Sequence, residues 1–230
     1  MTALRTLLIA SVMTAAGASG ASAQIFLGRE APARGSWEAS VGATWLGGVD
    51  FGDRTARLTR NDPSQRQFDL FTIDSRLDPV AGLQARVGFY LSPAISLEAG
   101  FLYAQPTLGV RLADDFESAA DTTATETLNR YLFDGSLVFH LTGLSFHDGR
   151  AVPFVAGGAG YMRDLHEGNE LLETGTEYHG GGGLKYWLGQ GRRRFGLRVE
   201  GGFSSREGGF DFADQRRTVP VAGASLMYLF

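Results

Sequence analysis

The chain has 230 residues, 21 Lys and Arg against 25 Asp and Glu, and no cysteine. That length permits one domain of ordinary size. The lack of cysteine excludes a disulfide scaffold, a thiolate metal site, a Cys nucleophile and a lipid anchor on Cys, while a formal charge of −4 offers no general basic surface for nucleic acid.

The first residues, MTALRTLLIASVMTAAGASGASA, carry one Arg, an apolar stretch from Leu7 to Ala16 and then small residues. Ala21 and Ala23 form an Ala-x-Ala cleavage pattern, which predicts a removed signal peptide over residues 1–23 and a mature chain from Gln24. The apolar stretch is too short to cross about 30 Å of hydrocarbon as an anchor. Downstream, no run of about 18 apolar residues exists that could cross as a helix. Residues 24–35 read as a short periplasmic segment and residues 36–230 as one barrel domain.

From Ser36 to Gly47 the pattern has period two: Trp37, Ala39, Val41, Ala43 and Trp45 share one face, and Glu38, Ser40, Gly42 and Thr44 the other. This predicts a strand. A tryptophan near each end of the apolar face suits two interfacial girdles. Gly48 to Pro79, rich in Asp, Arg and Asn, reads as a loop. Val80–Leu91 and Ile95–Ala104 alternate again around the turn Ser92-Pro93-Ala94, giving the clearest hairpin in the chain. Gln84, Arg86, Gly88 and Tyr90 oppose the apolar face of the first, and Ser96, Glu98 and Gly100 that of the second.

Gln105 to Thr127 reads as a second polar loop, acidic at Asp114, Asp115, Glu117, Asp121 and Glu126. Arg130–Leu141 follows as a strand with Asp134, Ser136 and His140 on its polar face. A compact link through Asp148-Gly149 leads to Ala151–Tyr161. A third loop is expected over Met162–Gly175, and a glycine-heavy strand over Thr176–Leu188 with His179 and Lys185 opposite its apolar side. After a basic turn, Phe195–Phe203 carries Arg198 and Glu200, and a fourth loop, Ser204–Arg217, precedes the strand Thr218–Phe230. In that strand Pro220, Ala222, Ala224, Leu226, Tyr228 and Phe230 share a face.

Eight strands joined alternately by long polar and short connections predict an all-β fold, an eight-stranded antiparallel transmembrane β-barrel with long loops outside and both termini in the periplasm. A soluble barrel of lipocalin type would place its apolar face inward. Here one face holds the bulky apolar and aromatic residues and the other holds Glu38, Arg86, Glu98, Asp134, Lys185, Arg198 and Glu200; burying that second face in a dry soluble core would cost several kcal/mol for every unpaired charge.

The order and spacing of VPFVAGGAGY, GGGLKYWL, GLRVEGGF and the closing SLMYLF, with the leader, resemble the small OmpA/OmpX-like outer-membrane β-barrel family across nearly all of the mature chain. Tyr228 and Phe230 resemble the C-terminal insertion signal of such proteins, with Gly223 close to the usual glycine spacing. The resemblance implies the outer membrane of a Gram-negative-type bacterium, contact with its lipids and lipopolysaccharide, and assembly by periplasmic chaperones and the barrel-insertion machinery. It fixes a fold and a place better than a task, and it leaves the external ligand unnamed.

Seven charges, Glu38, Arg86, Glu98, Asp134, Lys185, Arg198 and Glu200, face a lumen just wide enough for side chains to fill. They read as a salt-bridged plug, with a gated narrow pore as the alternative, in which an Arg86–Glu98 pair opens and closes. Gly180–Gly183 is followed by a strand and not by a helix with Lys and a hydroxyl, so it is no phosphate cradle. His140, His147, His166 and His179 show no metal-ligand spacing, and no cofactor is expected. A lipid A-modifying enzyme would need a Ser–His pair at the membrane boundary; no motif supplies one on an outward strand end. The expected role is therefore structural or one of surface interaction, with a porin-like channel as the alternative.

Overall fold

The computed structural model describes residues 32–58, 68–166, 172–188, 194–208 and 216–230; Ala21 and Ala23, the expected cleavage positions, lie outside these. Twelve strands run in the order β1 (Trp37–Leu46), β2 (Val49–Leu58), β3 (Phe68–Leu77), β4 (Val80–Ser92), β5 (Ile95–Ala104), β6 (Thr107–Ala113), β7 (Thr122–Thr127), β8 (Asn129–His140), β9 (Ala151–Leu165), β10 (Leu172–Trp187), β11 (Arg194–Gly208) and β12 (Arg217–Leu229). Eight of them, in the order β1-β12-β11-β10-β9-β8-β5-β4, form a closed barrel. All pairings are antiparallel. Closure joins the two ends of the sequence: β1 pairs with β12 from Glu38–Leu229 to Leu46–Val221, and Trp37 and Phe230 exchange backbone hydrogen bonds of 3.0 and 2.9 Å. The chain therefore leaves no open edge in this ladder.

The side-chain alternation read from the sequence holds on the barrel strands. Leu83 (67% exposed), Phe195, Phe203 and Leu226 point outward into the open, whereas Lys185, Arg198 and Glu98 point inward and are buried. Trp37 and Trp45 mark the two ends of the outer apolar face of β1. Eight residues of strand separate them, about 26 Å along the strand and about 20 Å along the barrel axis at a tilt near 40°. Further outward aromatics lie toward the same two levels: Phe89, Phe195, Tyr228 and Phe230 beside Trp37, and Tyr103, Tyr131, Tyr161 and Tyr178 at the far end, with Phe101 and Phe133 between them.

Two expected loops are strands. Residues 48–79 and 105–127 contain β2, β3, β6 and β7, which make a second sheet in the order β2-β3-β6-β7. Its spacing was obscured by charge-rich composition and by β-bulges at Asp50/Gly52 and Ala56/Arg57, each of which shifts the period-two pattern by one residue. On β3 and β6 the alternation is present: Leu77 lies beside Leu108 and Ile73 beside Leu112, while Arg76, Asp74 and Arg111 take the other face. Val49, Leu77, Leu128 and Val219 form a buried cluster, joined by Phe51 and Leu108, where this sheet meets the inside of the barrel at β12. The third and fourth loops are shorter than expected, because β9 continues to Leu165 and β11 to Gly208.

The link between β8 and β9 is compact for a conformational reason. After a 3₁₀ turn at Thr142–Leu144, His147, Asp148 and Gly149 adopt φ of 49°, 62° and 78°, reversing the chain so that Phe146 bridges Ala151. Only the third of these is glycine; aspartate tolerates the left-handed region through local hydrogen bonding.

Candidate functional site: the barrel lumen

Inward positions of eight strands converge on a narrow space, and the sequence fills it in three layers. At the end holding Trp37 and Phe230, Tyr90, Trp187, Met227 and Leu229 pack into one buried cluster. At the other end, Leu46, Leu102, Ala104, Leu132 and Met162 form a second. Between them lies the charge.

All seven expected lumen charges are inside, and they join into one series of alternating sign. Tyr90 donates its hydroxyl to Glu38 Oε2 at 2.7 Å. Lys185 Nζ donates to both oxygens of Glu38 at 2.8 and 3.0 Å and to Glu98 Oε1 at 3.3 Å. Glu98 passes the contact on to Arg198 Nη1 at 2.7 Å, and Arg198 grips Glu200 through Nε at 3.0 Å and Nη2 at 2.7 Å. Arg86 Nε stands 3.8 Å from Glu200, and its Nη1 donates to Asp134 at 3.1 Å. The rings of Phe154 and Tyr90 lie under these cations, with Arg198 4.6 Å from the Phe154 centroid and Lys185 5.5 Å from that of Tyr90. Each charge thus has an opposite neighbour, which is the condition for carrying it out of water.

The one specific pairing expected from the sequence, Arg86 with Glu98, is not made. On the hairpin, Glu98 lies opposite Gly88 and Arg86 opposite Gly100, so the two side chains start on a diagonal, two residue pairs apart. Arg86 instead reaches over Gly100 to the Asp134 carboxylate, which occupies the space a side chain at Gly100 would need. Glu98 is held by Lys185 and Arg198 from across the lumen.

Four further inward charges escaped the sequence reading. Arg130 holds Asp164 through two hydrogen bonds of 2.7 and 2.6 Å, and Arg206 stands 3.5 Å from Glu177. Asp164 and Arg206 sit where β9 and β11 run beyond the predicted ends, whereas Arg130 and Glu177 lie near the starts of predicted strands; the same alternation (Leu132 to Arg130, Met162 to Asp164, His179 to Glu177, Ser204 to Arg206) places all four inward. Among the described residues no group of three or more His, Asp or Glu is arranged to hold a metal.

Two Ser–His pairs do form, across strands that are more than 40 residues apart in sequence. Ser96 Oγ lies 2.9 Å from His140 Nε2, and Ser136 Oγ lies 2.8 Å from His179 Nε2. Both are inside the barrel and not at its outer surface. His140 is buried and stacked on Tyr90, 4.9 Å between centroids. His179 stands between Asp134 at 3.8 Å and Glu177 at 4.0 Å, beside a cavity of about 80 Å³ lined also by Thr44, Gln84, Arg86 and Glu200. Thr44 Oγ1, Gln84 Oε1, Arg86 Nε and Glu177 Oε2 are buried there without a hydrogen-bond partner among the described residues. Such a space suits several water molecules bridging those atoms; pockets for organic ligands run to about 300–1,000 Å³.

Tyr228 and Phe230 lie on the outer face, where the Tyr228 ring packs at a tilt against Phe195, 4.9 Å between centroids, and stacks with Phe230 at 6.0 Å. Phe230 is 59% exposed.

No family model and no curated protein matches the chain. Its fold is similar to those of several solved structures. The outer membrane protein OprG from Pseudomonas aeruginosa is 12% identical with a TM-score of 0.49, over 86% of this chain and 97% of that one. Ail, the attachment invasion locus protein of Yersinia pestis, is 10% identical with a TM-score of 0.41, over 86% and 99%. The outer membrane protein AlkL is 16% identical with a TM-score of 0.36, over 86% and 91%. At these identities the likeness is one of fold only.

Proposed function

We propose that this chain is an integral outer-membrane protein of a Gram-negative-type bacterium, a barrel held shut by its own ion pairs that anchors and presents the β2-β3-β6-β7 sheet outward. One observation carries this reading: bulky apolar side chains ring the outside of a closed barrel while the charges point in and are paired. Soluble monomers rarely expose contiguous apolar patches beyond a few hundred Å², and here the apolar face continues around the barrel on all eight strands. The shortest barrel strand has ten residues, enough to cross a bilayer, for which about 9–11 tilted residues suffice.

The work of the protein is then structural or interactive. The anchored second sheet supports that choice, since its Thr-rich β7 and the charged face of β3 and β6 project beyond the aromatic level of the barrel. A narrow channel is the second reading, favoured by a mid-lumen cavity that Arg86, Asp134, Glu177 and Glu200 help to line, and opposed by the apolar clusters toward either end of the lumen. A removed leader over residues 1–23, and recognition of Tyr228 and Phe230 by the insertion machinery and periplasmic chaperones, belong to the same reading.

The three tryptophans provide the test. Trp37 and Trp45 are 46% and 44% exposed on the outer face, whereas Trp187 is 1% exposed inside. In bilayers of brominated lipid, single-Trp variants retaining Trp37 or Trp45 should be quenched, and one retaining Trp187 should keep its emission. Equal quenching of all three, or none of any, would overturn the membrane placement.

A further inference from the structure

We infer that Arg163 is the centre of a site for the phosphate of an outer-leaflet lipid headgroup, on the outer wall of the barrel across β8, β9 and β10. The inference rests on the outer-membrane reading above. Arg163 points outward and is exposed, two residues beyond Tyr161 on β9, about 7 Å further along the strand. It therefore stands in the outer row of the aromatic level, beside Tyr131 and Tyr103, at the height of headgroups and not of acyl chains.

Its charge is unbalanced. Four other exposed arginines of this half face carboxylates: Arg57 lies 2.9 Å from Asp69, Arg76 3.5 Å from Asp78, Arg111 2.6 Å from Asp121 and Arg216 2.8 Å from Glu207. Arg163 has no such partner among the described residues, while its neighbour Asp164 faces inward and is taken up by Arg130.

The neighbours suit a phosphorylated lipid. Tyr103, Tyr131, Arg163 and Thr174 are successive cross-strand partners on one outer row, and Phe133, Tyr161 and Thr176 form the row below. Tyr103 and Tyr131 pack with ring centroids 5.2 Å apart, and Tyr103 is fixed by its hydroxyl donating to Asn129 at 2.9 Å. The guanidinium fork can take two phosphate oxygens at once, and the hydroxyls of Tyr131, Thr174 and Thr176 are close enough in the ladder to bind the same headgroup. Below Tyr161 the outer face falls to small residues, Gly135 opposite Ala159 with Gly157 beside them, and a side chain at Gly135 would meet nothing within 4 Å. An acyl chain hanging from the bound headgroup can lie against this low surface between Phe133 and Val155. A free phosphate ion would use none of it, so the ligand is a lipid.

The test uses the folded protein in detergent, stripped of lipid and offered bis-phosphorylated lipid A or the same lipid without phosphates, with retention read by native mass spectrometry. Folding of every sample is checked by the heat-dependent shift in electrophoretic mobility. The wild type should retain the phosphorylated lipid preferentially. Arg163→Ala should retain it about fivefold less, the effect of one arginine at a charged lipid surface. Arg163→Lys should fall between, keeping the charge and losing the fork, and Arg76→Ala should match the wild type. Equal retention by Arg163→Ala and wild type, or equal retention of the dephosphorylated lipid, would overturn the site while leaving the barrel reading intact. A chain that shows no heat-dependent shift and enters no bilayer would instead sink the membrane reading itself.

Discussion

Lys185→Met is the most informative single change, because Lys185 is the cation that two carboxylates share. It is 1% exposed, and its Nζ serves Glu38 at 2.8 Å, Glu98 at 3.3 Å and the Tyr90 hydroxyl at 3.4 Å. Methionine fills nearly the same volume, so the change removes charge and little packing. Glu98 retains Arg198, but Glu38 is left with Tyr90 alone. Removing one partner of a buried pair costs about 3–5 kcal/mol, since the other charge stays buried. At a urea slope of about 3 kcal/mol/M, the unfolding midpoint in lipid vesicles should drop by more than about 1 M. Adding Glu38→Gln removes the stranded charge, so the double variant should recover most of the loss. A drop below about 1 kcal/mol in the single variant, or a double variant less stable than either single one, would refute the claim that these charges are paired in a dry layer.

Three further outcomes follow from the same geometry. A double-mutant cycle in the same urea assay should give a coupling of about 1–3 kcal/mol for Arg198 with Glu98 and well under 1 kcal/mol for Arg86 with Glu98, because only the first pair is in contact. Within the tetraglycine of β10, Gly183→Ala should destabilise and Gly180→Ala should be neutral in the same assay: a methyl at Gly183 strikes the Val199 carbonyl and the Phe154 ring, whereas one at Gly180 meets only the Ala156 carbonyl at 3.9 Å. Deleting Phe230 removes both backbone hydrogen bonds to Trp37 at the closing seam and the end of the outer aromatic row, and should lower the amount of barrel inserted into the outer membrane, read by surface protease protection.

The barrel was legible because its information is local. Period-two alternation in Trp37–Trp45, Val80–Leu91 and Ile95–Ala104 states which face each residue takes, and the polar face states the lumen. Partner choice inside the lumen was not legible. Lys185 and Glu38 are separated by 147 residues, and only closure of β12 on β1, with the register of β11 and β12 between them, brings them together. Arg86 and Glu98 were the natural guess from one hairpin, yet an offset of two residue pairs, and the Asp134 carboxylate filling the space that a side chain at Gly100 would need, redirect Arg86 to Asp134. The second sheet was missed for a different reason: bulges break the alternation of β2, and Asp and Arg on one face of β3 mask the apolar residues on the other. The same period, however, places Arg130 and Glu177 inward within the predicted strands, and extending β9 and β11 by it discloses Asp164 and Arg206.

The central claim is that the lumen is closed, by the Tyr90–Trp187–Met227–Leu229 cluster, the ion-pair layer and the Leu46–Leu102–Leu132–Met162 cluster in series. Single-channel recording of the folded chain from Gln24 to Phe230 in a planar bilayer tests it directly. The account predicts a silent bilayer, with insertion verified independently. Reproducible discrete conductance steps in the wild type, altered by Arg86→Ala or Glu98→Ala, would contradict it and make the inward charges the lining of a pore.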